Sequence, residues 1–407
     1  MSSSLACLNC ASKERELVLD LGSTPLANSN VPPEHLDRPE PSFPLELLFC
    51  HACGLVQLSE IVPPEILFRD YVYVTGASST MVTHLRAFAA EAVVRFGLGP
   101  EDLVVEIASN DGTLLAAFRE QGLRVLGVEP ASNLCRVARE KGVESVARFF
   151  SETEARALRA ERGPAALVVG NNVLAHVPDL HGVLAGCRLL TEPKGVVSIE
   201  VPWLLHLVER LEYDTIYHEH LAYFSAGVLA DALARAGLAI FDVVELSVHG
   251  GSLRVLARAG RGHGSALEPF LERERALGLE RAETYHAFAR RVAANRTALR
   301  GLLERLRAEG KRIAAYGAPA KGNTLLNYCH IGTELVEYAV DRNPLKVGNH
   351  TPGTHLPIRP AAFLAEDRPD FALILPWNIA PEILRQEAAY RARGGRFLVP
   401  IPEPKIL

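Results

Sequence analysis

The chain has 407 residues, 48% of them apolar and 22% charged, with a net charge of −5, which is enough for two or three hydrophobic cores. A pI near 6.3 leaves no cationic excess to neutralise phosphates and argues against nucleic acid as a partner. No apolar run reaches the ~18 residues of a membrane helix, and Met1-Ser2-Ser3-Ser4 opens no basic-then-apolar leader, so no membrane partner and a cytoplasmic location are expected.

Seven cysteines are an odd count, and four of them form two pairs, Cys7-Leu8-Asn9-Cys10 and Cys50-His51-Ala52-Cys53. Two such knuckles offer the four thiolates that tetrahedral Zn2+ takes in a closed structural site. With no position left for water, the metal is expected to hold together a small four-cysteine zinc-binding domain over residues 1–70. His51 is expected to be a solvated neighbour of the ligands.

Next come Tyr71-Val72-Tyr73-Val74-Thr75-Gly76, a linker whose tyrosines share a face if it is extended. They are either core aromatics or the lining of a cleft. A helical pattern follows over 79–96, with Ser78 or Ser79 able to cap it.

The run at 103–105 is apolar throughout, as in a strand buried on both faces, and residues 108–112 then force a turn before a helix restarts at Thr113. A second buried strand, 124–129, ends in Glu129. Strand, tight turn, helix, strand and terminal acid make the arrangement that receives an adenosine-type ligand, the acid taking ribose hydroxyls. The turn is not G-x-G-x-x-G. Glu106, Asn110, Asp111 and Gly112 suit a ligand with a cationic, amino-acid-like end, as S-adenosylmethionine has, with Ala108 in the same turn as a further cofactor-binding candidate; an ordinary strand–turn–helix corner is the alternative.

Strand and helix go on alternating, with strands at 166–170, 195–201, 240–246 and 253–259 and helices at 131–141, 180–190 and 226–236. That alternation implies an α/β fold with a mostly parallel, doubly wound sheet over 71–260, in an order that suits a class I methyltransferase. The last two strands have no helix between them, so one antiparallel strand is expected at the end of the sheet. Three polar loops fall where open α/β sheets bind ligands. They are Asn171-Asn172-Val173-Leu174-Ala175-His176, the run Asp214-Thr215-Ile216-Tyr217-His218-Glu219-His220 and His249-Gly250-Gly251-Ser252. The second admits a metal site, although H-E-x-x-H spacing is absent, or acid–base work, with a histidine taking a proton and Glu219 and Tyr217 orienting it.

Residues 261–407 read as a helical connector over 267–308, whose isolated Gly278 and Gly301 can weaken or kink a helix but need not end it, and then a second, smaller Rossmann-like α/β sheet. Its strands are expected at 312–316, 336–341, 370–375 and 396–400, with a helix at 324–329. Lys321 in the 317–323 turn could meet phosphate and Asp341 ribose, or the sheet could carry no ligand of its own.

Taken together, these motifs resemble the nucleotide-sugar C-methyltransferases. The likeness adds Leu21-Gly22-Ser23-Thr24-Pro25-Leu26-Ala27-Asn28, Gly127-Val128-Glu129-Pro130 and Tyr316-Gly317-Ala318 with Ala320-Lys321-Gly322, and it spans essentially the whole chain. The resemblance implies S-adenosylmethionine as cofactor and a thymidine-diphosphate 4-keto-deoxysugar as substrate. It makes His220 the base and gives catalytic places to Tyr217, Glu219, His176 and Tyr71. Pro130, Asn171 and Asn172 join the cofactor residues; Tyr73, His249, Gly250 and Lys321 stand as substrate-binding candidates. Where the family commonly has a serine pair after the second tyrosine, this chain has Thr75-Gly76. The rival enzyme reading is an NAD(P)-linked nucleotide-sugar oxidoreductase, and a monomer is expected.

Overall fold

The computed structural model describes residues 5–68 and 73–407. Strands β1 (Arg15–Pro25), β2 (Ser42–Cys50) and β3 (Val56–Leu58) form an antiparallel meander. The open edge of β3 takes a fourth, two-residue strand from far along the chain, Ala222–Tyr223. Helix Ser79–Phe96 then starts where the Ser78 side chain accepts from Met81 N, and it ends at Gly97 in the left-handed region. Both are the residue types that satisfy helix ends.

The middle of the chain contributes β4 (Leu103–Ile107), β5 (Arg124–Val128), β6 (Ser145–Val146), β7 (Ala165–Asn171), β8 (Thr191–Pro202), the edge strand β9 already met (Ala222–Tyr223), β10 (Leu238–Leu246) and β11 (Ser252–Ala259). All except β9 form one seven-stranded sheet in the order β10-β11-β8-β7-β4-β5-β6. Every residue of β4 is buried, so helices must cover both faces. Contrary to the sequence expectation, the antiparallel strand is not at the sheet's end. β11 runs antiparallel to both β8 and β10 and lies between them; the short turn makes β10 and β11 an antiparallel pair, and it is β11, not β10, that pairs with β8.

The helical stretch expected over 267–308 is divided into two helices. Gly278 adopts φ 77° and terminates helix Glu268–Leu277, whereas Gly301 stays inside helix Ala282–Ala308. A second sheet follows from β12 (Ile313–Tyr316), β13 (Ala339–Asp341), β14 (Ile358–Pro360), β15 (Phe371–Ile374), β16 (Arg396–Val399) and β17 (Lys405–Ile406), in the order β14-β13-β12-β15-β16-β17. Its strands are parallel except β17. The helix after β12 starts at Ala320, four residues earlier than expected, since Pro319 cannot continue a strand ladder but readily precedes a helix. One apolar core runs through all three sheets, from Val18 and Phe49 through Ile107 and Ile199 to Leu325 and Leu373. Among the described residues, no helix is long and apolar enough to cross a membrane.

Candidate active site

In the seven-stranded sheet the chain moves from β4 outward to β5 and β6, then returns to the other side of β4 with β7. The carboxyl ends of β4 and β7 therefore flank the switch point where open α/β sheets bind ligands. The loop after β4 holds Ala108 and Asn110 at φ 51°, and the loop after β7 holds Asn172 at φ 54°. Non-glycine residues stay in that region only where their surroundings fix them. At Gly112, φ 72° would strain any larger residue, whose Cβ would also press to 3.0 Å from that of Ala138.

Glu129, at the end of β5, bridges the turn: Asn110 N donates to its Oε2 and Ala131 N to its Oε1, both at 2.8 Å. A carboxylate has about four lone-pair positions, so acceptor capacity is left for ribose hydroxyls beside Pro130. Asp111 accepts from Lys141 Nζ at 2.5 Å and from Gly76 N at 3.1 Å, and Thr75 N donates to Asn110 Oδ1 at 2.9 Å. These bonds stitch the segment after Tyr73 across the crevice. Tyr73 itself is 42% exposed and lends its carbonyl to Asn110; Tyr71 lies outside the described residues.

Glu106 is the group without compensation. It is buried, its Oε2 has no hydrogen-bond partner, and burial, followed by the charges of Asp111 and Glu129, pushes its carboxyl well above the usual range. Both polar side-chain atoms of Asn171 and the Oδ1 of Asn172 are likewise buried and unpartnered. Unsatisfied acids and amides around one crevice fit a cationic, hydrogen-bonding ligand, as the amino-acid end and sulfonium of S-adenosylmethionine provide.

A second cluster lies on the segment between β8 and β9. A 3-10 turn, Tyr213–Thr215, presents the Thr215 carbonyl to His220 Nδ1 at 2.7 Å. A carbonyl can only accept, so Nδ1 carries the proton and Nε2 the lone pair. The His220 ring packs on Tyr217 with centroids 4.0 Å apart and edge-on against His176 at 4.9 Å. Burial lowers the His176 pKa to about 4 despite hydrogen bonds involving the Glu219 and Asn172 backbone, so this ring is neutral near pH 7. Burial, then the charge on Glu219, holds the Tyr217 phenol well above its ordinary value, which keeps its O–H as a donor. Asn28 Nδ2 donates to Glu219 Oε1 at 2.6 Å. His218, the remaining member of Tyr-His-Glu-His, turns away to the Phe43 and Pro44 carbonyls. The three histidines thus do not converge as metal ligands, and among the described residues the only clustered ligand set is the four cysteines.

Gly250, at φ 90°, backs directly onto Glu212, whose oxygens would lie 2.5 and 2.7 Å from a Cβ at that position. The side chain of His249 lies outside the described residues. Lys321 reaches Asn378 Oδ1 at 2.5 Å and lies 4.2 Å above the Trp377 ring, and the charges of Asp214 and Glu212 act on it. Trp377 Nε1 donates to the fully buried Asp214 at 2.7 Å. The second sheet's own switch point, between β12 and β15, therefore faces the Tyr213–Thr215 turn. Asp341 copies Glu129 there, accepting from Ala318 N at 2.7 Å and Asn343 N at 2.8 Å.

At the amino-terminal end, the sulfurs of Cys7, Cys10, Cys50 and Cys53 all lie within 4.8 Å of one another. Cys7–Cys53 and Cys10–Cys50 are 3.5 Å apart, close to the ~3.8 Å edge of a tetrahedron with Zn–S bonds of ~2.3 Å. Each knuckle closes on a backbone turn, Ala11 N to Cys7 O and Gly54 N to Cys50 O. His51 is exposed and meets Glu16 at 3.0 Å. The site fits a closed four-thiolate metal.

Three domain families match in succession: a zinc-binding domain over residues 7–68, a methyltransferase domain over 81–243 and the C-methyltransferase C-terminal domain over 247–402. C-methyltransferase NovU of Streptomyces niveus is 39% identical over 404 residues, 98% of this chain and 96% of that one. This chain belongs to the C-methyltransferase family.

A shorter likeness joins this C-methyltransferase to the ubiquinone biosynthesis O-methyltransferase of Cupriavidus pinatubonensis, 34% identical over 98 residues, 24% of this chain and 39% of that one. An S-adenosylmethionine-dependent methyltransferase from Clostridium acetobutylicum aligns at 13% identity and a TM-score of 0.37, covering 44% of this chain and 92% of that structure. The enzyme is an S-adenosylmethionine-dependent C-methyltransferase with a zinc-binding amino-terminal unit. Nothing among these relatives favours an oxidoreductase. Sequence reasoning placed Asp214 in a ligand-facing loop without a role, and it did not single out Asn28, Glu212, Asn295 or Trp377 as site residues. Their partners lie up to 191 positions away, beyond any local spacing signal.

Proposed function

We propose that the substrate is a nucleotide-linked 4-keto-deoxysugar, thymidine diphosphate being the nucleotide, and that His220 removes the proton from the carbon beside the ketone. The observation that carries this reading is the Thr215 hydrogen bond, which leaves Nε2 of His220 as a proton acceptor beside a phenol that stays protonated. His220 Nε2 takes the proton, and the C–H electron pair becomes the carbon–carbon π bond of an enolate while the ketone oxygen gains charge. Tyr217 O–H and the neutral His176 ring are the groups suited to meet that oxygen. Glu219, a carboxylate that would repel an enolate, serves as acceptor for a sugar hydroxyl. S-adenosylmethionine, when bound in the crevice, supplies an electrophilic methyl carbon whose bonding pair departs with the sulfur. Glu106, Asn171 and Asn172 orient its amino-acid end and Glu129 its ribose. Lys321, with Tyr73 and Gly250, belongs to the substrate side, and the boundaries 1–70, 71–260 and 261–407 mark the three contributing units.

His220→Asn tests the reading. General-base catalysis is worth on the order of 10² to 10⁴ in turnover, so kcat should fall by that much while S-adenosylhomocysteine affinity holds. In heavy water with S-adenosylhomocysteine bound, wild type should exchange deuterium into the carbon that would be methylated and the variant should not. Turnover of the variant at the wild-type rate would rule His220 out as the base.

A further inference from the structure

We propose that Asn28, supplied by the zinc-binding unit, is a positioning residue of the sugar site that acts through Glu219; the inference rests on the assignment of Glu219 to the sugar. Asn28 follows β1 and lies between the two cysteine pairs in sequence, yet its amide Nδ2 ends 2.6 Å from Glu219 Oε1, 191 positions away. A carboxylate offers no hydrogen when ionised, so the amide must turn its NH2 inward. The donor consumes one lone pair of Oε1 and fixes the plane of the carboxylate, which determines where a sugar hydroxyl can be received.

The segment that delivers Asn28 is braced on its other side. Leu26 and Ala27 are buried, and the Ala27 carbonyl accepts from Asn323 Nδ2 of helix Ala320–Tyr328 at 2.7 Å. Val31 exchanges backbone hydrogen bonds of 2.9 and 2.8 Å with His350. A loop of the zinc-binding unit is thus bound to the carboxy-terminal unit and hands one side chain to the catalytic segment of the middle unit. Besides Asn28, Tyr217 and Lys346 interact electrostatically with Glu219, and the Glu219 backbone bonds to His176. Of this group, Asn28 alone comes from the zinc-binding unit.

A double-mutant cycle on the full-length, zinc-loaded enzyme tests this. Asn28→Ala should raise KM for a thymidine-diphosphate 4-keto-6-deoxysugar by about tenfold or more, the worth of a hydrogen bond to a charged group. Zinc content and S-adenosylhomocysteine affinity should not change. In a Glu219→Ala background the same substitution should add less than about twofold, because its target is gone. Asn28→Asp gives an independent reading: two carboxylates at that distance must share a proton, so its kcat/KM should recover as pH falls, which Asn28→Ala should not do. An equal loss in both backgrounds, or a wild-type KM in Asn28→Ala, overturns the inference alone. If wild type neither binds nor methylates any such sugar, the inference and the substrate reading fall together.

Discussion

Glu106 shows how a single buried side chain can be left electrostatically uncompensated in the cofactor crevice. Its carboxyl is pushed well above the ordinary range by burial and by the neighbouring charges of Asp111 and Glu129, so in the ligand-free enzyme it holds its proton to higher pH than a solvated glutamate does. A cationic ligand favours the ionised form. Binding of S-adenosylmethionine should therefore release protons, and affinity should rise with pH until Glu106 is ionised in the free enzyme as well. Calorimetry in two buffers of different ionisation heat would measure the release, which Glu106→Gln should abolish; identical heats for wild type in both buffers would refute the assignment. The sequence makes Glu106 visible as an acid beside a tight turn. Its lack of a partner was not visible, because that depends on which neighbours Lys141 and the backbone amides choose.

At the scale of an element, the Tyr213–Thr215 turn matters because its last carbonyl sets the tautomer of His220. It is held from outside its own unit, with Tyr213 OH bonded to Asn295 at 2.9 Å and Asp214 to Trp377 at 2.7 Å. Trp377→Phe removes the indole donor but keeps an aromatic face under Lys321. It should lower kcat by roughly tenfold, in keeping with one lost hydrogen bond to a charged group. It should also displace the acid limb of the kcat–pH profile, since the Thr215 carbonyl would no longer be fixed. An unchanged profile would show that the turn holds itself. Regular elements such as helix Ser79–Phe96 were legible from period and cap, because both are local. The position of the antiparallel strand β11 was misjudged and the helix end at Gly278 was left open, since strand order and the choice between kink and stop are decided by tertiary packing. The Asp214–Trp377 bond spans 163 positions, and no pattern announces it.

Across the whole molecule, the zinc-binding unit, the cofactor sheet and the second sheet share one core, so loss of metal should be felt at the Tyr217–His220 segment proposed to act on the sugar. Protein purified without chelator should contain about one zinc per chain. Stripping it should unfold the amino-terminal unit and abolish methyl transfer while leaving some S-adenosylhomocysteine affinity, because thiolate–zinc binding energy is folding energy in such units. Metal analysis below about half an equivalent, or full activity in stripped protein, would contradict this. The three-part arrangement could be read in sequence from the paired cysteines, the strand–helix alternation and the second Rossmann-like pattern. That the three parts meet at residues 212–220 could not, because those contacts join side chains far apart in the chain.

The two-residue strand that β3 borrows from Ala222–Tyr223 bears on how the enzyme is made. A ribosome releases the zinc knuckles and the first three strands long before residue 222, so the young amino-terminal unit waits with its β3 edge unpaired while residues 59–221 emerge. Unpaired edges invite association with other chains. A fragment ending near residue 68 should therefore aggregate even when supplied with zinc, whereas chains that extend past Tyr223 carry their own edge cover.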